Sequence, residues 1–145
     1  MKRSSRFRML LKIEKAKERE EARKFAERRQ ALHEKKAKLA ELEGYVAEYR
    51  ERFSAMTRSG SLAGQIRSSY EFINRLTDAV SQQQQAVSDS ERSVEEYRQL
   101  WLQAKRRMDI LQKTVDKLAH EELVKDGKRE QVVADELARR KYQRS

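Results

Sequence analysis

Residues 66–115 divide into consecutive sevens, "IRSSYEF INRLTDA VSQQQQA VSDSERS VEEYRQL WLQAKRR MDILQKT V". Every group opens on an apolar residue: Ile66, Ile73, Val80, Val87, Val94, Trp101, Met108 and Val115. Call these the a positions. Three residues further on, the d positions are apolar at Leu76, Tyr97, Ala104, Leu111 and Leu118. A repeat of 3.5 residues keeps one seam of a helix facing a partner helix, and it implies a left-handed supercoil.

Upstream, the same spacing gives Leu11, Phe25, Leu32, Leu39, Val46 and Phe53, with Glu18 as the one charged interruption. Apolar d positions follow at Leu42, Tyr49 and Met56. Between the two segments lies Thr57-Arg58-Ser59-Gly60-Ser61-Leu62-Ala63-Gly64, which holds two of the four glycines. This stretch predicts a loop. A short loop between two such helices makes them antiparallel neighbours. The expected fold is therefore all-α, a single domain formed by an antiparallel two-helix coiled-coil hairpin. Its helices run over about 5–56 and 65–141, with the loop at about 57–64. At 1.5 Å per residue they would measure about 78 and 115 Å.

Folding about the loop pairs residues whose numbers sum to about 121. Phe25 is then expected near Val94 and Tyr97, and Leu11 near Met108 and Leu111. The seam ends at Leu118 and the rest of the second helix overhangs, with a hinge at Asp126-Gly127. Polar d residues at Arg28, Lys35, Gln83 and Ser90 should weaken the middle of the seam. The expected core is Phe25, Leu32, Leu39, Val46, Phe53, Ile73, Val80, Val87, Val94, Trp101, Met108 and Val115.

Composition agrees with long helices. The chain of 145 residues contains no proline, where average usage of about 5% predicts roughly seven. Charged residues make up 40% and apolar ones 37%, too little apolar material for an ordinary compact core. Cysteine is absent, which excludes disulfides, thiolate metal sites and a cysteine nucleophile. His33 and His120 are isolated, and neither begins a metalloprotease motif. The carboxylates interleave with Lys and Arg at helical spacing, as on an ion-paired surface. No catalytic residue, metal or cofactor is expected, and a two-helix coil offers no cleft to exclude water. The expectation is a protein that is not an enzyme and has no small-molecule substrate.

No apolar run exceeds three residues, so neither a signal peptide nor a membrane span is expected, and the location should be intracellular. The formal net charge is +10. Residues 1–40 carry 15 Lys/Arg against 6 Asp/Glu, residues 41–100 carry 7 against 10, and residues 101–145 carry 12 against 8. The hairpin would gather the two basic segments at one end, a layout that bears on partners and steering.

The apolar stripe is widest between residues 42 and 80. There Tyr45, Phe72 and Ala79 fall at g positions and Tyr70 at an e position. A two-stranded coil needs only a and d. The extra rings either thicken a thin core or form an exposed docking surface. That g aromatics from both helices fall at one level favours the docking surface.

The residues that carry this stripe resemble the FliJ family of bacterial flagellar export proteins. The likeness rests on Tyr45-Val46-Ala47-Glu48-Tyr49-Arg50-Glu51-Arg52-Phe53, followed after the Gly/Ser loop by Tyr70-Glu71-Phe72-Ile73-Asn74-Arg75-Leu76. Trp101, Ala104, Arg107, Leu111 and Lys113, and the late Asp135-Glu136-Leu137-Ala138, extend it over about residues 6–141. The resemblance implies a hairpin like the central stalk of rotary ATPases, acting in the flagellar type III export apparatus on the cytoplasmic face of the inner membrane. Its implied partners are the hexameric export ATPase, the cytoplasmic domain of the export gate membrane protein, and chaperones of export substrates. It places gate binding on Leu42, Tyr45, Tyr49, Phe72, Leu76 and Ala79. Lys38 and Gln83 differ from the uncharged polar and histidine residues the family pattern suggests at those edges.

Two alternatives remain from sequence. One is a basic arm that binds nucleic acid, disfavoured by 24 interspersed acids. The other is a coiled-coil adaptor of another type III secretion system.

Overall fold

The computed structural model describes residues 2–144. Two helices account for nearly all of them: α1, Arg3–Arg58, and α2, Ala63–Arg144. No strand occurs among the described residues. The helices pack antiparallel as a hairpin. Both run slightly further than the periodicity predicts, because the loop tightens to residues 59–62.

The turn forms by a specific backbone device. Gly60 adopts φ of 75°, Ser59 N–H donates to the Ala55 carbonyl at 3.0 Å, and Ser61 N–H donates to the Met56 carbonyl at 3.3 Å. The last bond spans five residues back from the one after the glycine, the Schellman arrangement that ends a helix. A Cβ at Gly60 would meet nothing within 4 Å, so the backbone angle alone demands glycine. Gly60→Ala should therefore cost about 1–2 kcal/mol, read as a lower melting temperature with unchanged helicity before the transition.

Packing groups the chain into two compact units, Met1–Glu21 with Trp101–Ser145, and Ala22–Leu100. In the Ala22–Leu100 unit, Val46, Ile73 and Val87 are buried, all at a positions. Phe25, Leu32, Leu39, Phe53, Val80 and Val94 are half-buried. The polar d residues take specific roles there. The Arg28 guanidinium lies 4.5 Å from the Tyr97 ring centre and donates to its hydroxyl at 3.1 Å. Gln83 Nε2 donates to the Lys35 carbonyl at 3.0 Å, and Ser90 is small enough to be buried at 6% exposure. Polar groups in a coiled-coil seam reduce stability but hold its register.

In the other unit, Leu11, Ala104 and Val115 are buried, while Trp101 and Met108 are half-buried. Glu18, the charged interruption in the a series, accepts a hydrogen bond from the Trp101 indole N–H at 2.9 Å. An indole at a seam position needs an acceptor, and this glutamate supplies it. Leu11 lines a cleft with Val115 and Gln112, slightly further along α2 than the sequence register places it. Across both units, the numbers of hydrogen-bonded cross-helix partners sum to between 118, for Lys35 and Gln83, and 128, for Lys2 and Asp126.

The seam continues beyond Leu118. Ser4, buried at 2% exposure, donates its backbone N–H and its hydroxyl to the Glu122 carboxylate at 3.0 and 2.5 Å. Glu122 thereby satisfies a first-turn donor of α1 and meets the positive end of its helix dipole. Lys2 Nζ pairs with Asp126 at 2.9 Å. The expected hinge at Gly127 is absent: α2 passes through it unbroken, since a helical glycine costs only about 0.5–1 kcal/mol against alanine. Beyond it, residues 127–144 are exposed throughout.

The Ser4 hydroxyl and backbone bonds hold the Glu122 carboxyl below its ordinary range. A depressed carboxyl pKa stabilises the fold above the unfolded value, and that contribution disappears as pH falls through the folded value. Acidification through the lowered Glu122 value should therefore loosen this terminal clamp, after ordinary carboxyl groups have already protonated. Ser4→Ala should return the Glu122 pKa toward normal in a carboxyl-detected NMR titration; an unmoved pKa would show that the clamp does not form.

Candidate docking surface

The residues expected to form a docking surface all lie in the Ala22–Leu100 unit. Leu42 and Tyr49 occupy d positions of α1, and Tyr45 precedes Tyr49 by one helical turn. Phe72 and Ala79 are g positions of α2, and Leu76 lies at d between them. In an antiparallel pair the two g rows border the same flank of the seam, so Tyr45, Phe72 and Ala79 come to one side.

The structure separates these residues by depth. Tyr45 is 43% and Phe72 38% exposed, whereas Leu42, Tyr49, Leu76 and Ala79 are half-buried. Tyr49 and Phe72 meet edge to face, with ring centres 4.8 Å apart and planes at 65°. That contact lets a seam residue hold an exposed ring in place, since such geometry is favourable beyond simple burial. Both readings of the wide stripe therefore apply, but to different residues. Tyr49 fills the seam, while Tyr45 and Phe72 present surface. Tyr70, at e, is 57% exposed and contacts Phe53 at 6.3 Å between ring centres. It stands on the opposite flank from the g residues.

Charged neighbours that sequence reading passed over complete the surface. Arg52 lies 5.3 Å from the Tyr49 ring centre and pairs with Glu48 at 2.6 Å. Arg75 lies 6.0 Å from the Phe72 ring centre. Both arginines follow their aromatic residue by three positions, a helical spacing that could have been read in advance. Tyr45 donates its hydroxyl to Glu41 at 2.9 Å, one turn earlier. That hydrogen bond, with the nearby carboxylate charge, pushes the Tyr45 phenol above its usual pKa. The hydroxyl therefore stays protonated near neutral pH. The surface offers aromatic faces rimmed by Arg52, paired with Glu48, and by Arg75, suited to burying a partner's apolar side chains.

On the e flank of the same unit, a cleft of about 270 Å³ is lined by Glu43, Val46, Ala47, Arg50, Thr77, Val80 and Gln84. It is open and mixed in polarity. Among the described residues, no group of three or more His, Cys, Asp or Glu is placed to hold a metal ion. No helix among them is long and apolar enough to cross a membrane.

No curated protein and no solved structure matches this chain. A family model does, described as the flagellar FliJ protein, and it covers residues 2–145. With a match over nearly the whole length and an antiparallel helical hairpin as the fold, the chain belongs to the flagellar FliJ protein family.

Proposed function

We propose that this component of the flagellar export apparatus couples the export ATPase ring to the export gate and recruits substrate chaperones, with no catalytic step of its own. The observation that carries the reading is the family match over residues 2–145. The g-flank surface supports a gate-binding role for Leu42, Tyr45, Tyr49, Phe72, Leu76 and Ala79, because exposed aromatics beside packed ones are typical of protein interfaces. The ATPase ring is assigned to the unit that carries both termini. The strong excess of Lys and Arg in residues 1–40 suits a ring lined with acidic groups. In this reading the protein works at the cytoplasmic face of the membrane, held there by its partners.

The deciding experiment titrates the chain into the export ATPase of the same organism at near-physiological salt and measures ATP hydrolysis. Saturable stimulation near one chain per hexamer is expected. No stimulation, together with salt-sensitive binding to RNA or DNA, would overturn the reading in favour of a nucleic-acid arm.

A further inference from the structure

The e flank of the Ala22–Leu100 unit carries features that the proposed gate surface does not use. Val46, Ala47 and Val80 line its cleft, and Glu43 and Arg50 stand along the α1 rim, seven residues apart. Both charges are exposed, and neither is paired with another described residue. Nearby charges of the same unit do pair, Lys36 with Glu91 and Arg52 with Glu48. Beyond Arg50, the Tyr70 ring stands 57% exposed against Phe53.

The α2 side of this flank is uncharged around the cleft. Its e row reads Tyr70, Thr77 and Gln84 and its b row Asn74, Ser81 and Ser88, in a chain where 40% of residues are charged. A surface laid against these rows buries no ion of α2. The ions it must meet are the rim pair, one acidic and one basic on a single helix. Such a pair is complementary to its own copy turned end for end.

We infer that the e flank is the interface of a twofold dimer of this chain. An axis crossing α1 between Val46 and Ala47 sets Glu43 of each copy opposite Arg50 of the other, so one pair on the chain becomes two ion pairs across the interface. This is the self-complementary layout of an isologous contact, in which residue i meets j and j meets i. Opposed charges of this kind fix the register of two surfaces. The ring contacts of Tyr49 with Phe72 and of Phe53 with Tyr70 put α2 residues near 74–77 level with the same axis. Tyr70 and Gln84 lie seven residues to either side of Thr77. The twofold therefore brings Tyr70 of one copy toward Gln84 at the end of the other's cleft, where the ring loses its exposure beside Val80. Tyrosine is among the residues that contribute most at protein interfaces. The g flank, with Tyr45 and Phe72, stays open in this dimer, and the inference does not rest on the ATPase or gate readings.

The full chain is tested by sedimentation equilibrium. A reversible monomer–dimer equilibrium is expected, with Kd of about 1–100 µM for a small interface of this polarity. Glu43→Arg and Arg50→Glu should each weaken association by about tenfold or more, because each sets like charges opposite one another twice. An equimolar mixture of the two variants should regain the parent's affinity, since every facing pair is then Arg with Glu. Tyr70→Ala should weaken association by about tenfold with helicity unchanged. Tyr45→Ala with Phe72→Ala should leave the dimer intact. A chain that stays monomeric at every concentration would overturn the inference, as would a dimer indifferent to Glu43→Arg or a mixture that does not associate. A dimer dissolved by the Tyr45 and Phe72 variant would also overturn it, by placing the contact on the g flank.

Discussion

Val87→Asp is expected to abolish the cooperative thermal transition and most of the helical circular-dichroism signal at 25 °C. Val87 sits at an a position at 8% exposure. Replacing it forfeits about 1.5–3 kcal/mol of apolar burial and places a carboxylate in the seam without a partner, costing several kcal/mol more. A domain's total stability is typically about 5–15 kcal/mol. This seam has little in reserve. Among the described residues only Leu11, Val46, Ile73, Val87, Ala104 and Val115 are buried apolar groups. Trp101→Asp should act in the same direction, because it removes the indole that satisfies Glu18 and sets a second carboxylate beside it. Val87→Ala is the graded control. It should cost about 2 kcal/mol and keep a cooperative melt. Native helicity and melting temperature in Val87→Asp would refute the heptad register itself.

Tyr45→Ala combined with Phe72→Ala is expected to leave the melting temperature within a few degrees of the parent. It should weaken binding to the export gate's cytoplasmic domain by about a hundredfold or more. The magnitude follows from interface hot spots, where truncating one buried aromatic costs about 2 kcal/mol or more. The small stability effect follows from position, since both residues stand at g and are already well exposed. Tyr49→Ala provides the contrast. Its ring is half-buried at d and supports Phe72 edge to face, so its loss should lower both melting temperature and gate affinity. Calorimetry for binding and circular dichroism for stability separate the two effects. A collapse of the double variant would make Tyr45 and Phe72 core residues, and unchanged affinity would remove the gate from this surface.

A partner surface of this kind is set by exposure at the flanks. Heptad spacing cannot resolve that exposure, because an e or g residue can turn inward or outward with a change of rotamer. Tyr45, at g, is tied to Glu41 at the surface, whereas Tyr49, at d, meets Phe72 edge to face in the seam. The cations beside the rings were readable at i+3, as Arg52 after Tyr49 and Arg75 after Phe72.

The sequence by itself determined the helical class, the seam, the turn and the approximate pairing. Each of these is written in local or repeated signals: an absent proline, an apolar residue every seventh position, and glycines at one break. Repetition averages out a single exception, which is why Glu18 did not obscure the a series. Tertiary structure alone decided how the exceptions are accommodated. Glu18 accepts from Trp101, Gln83 reaches the Lys35 carbonyl, and Glu122 closes over Ser4 beyond the last apolar heptad residue. Those contacts join residues 48 to 118 positions apart. A polar side chain's partner depends on which group lies opposite within about 3 Å, and only the packed register brings those groups together.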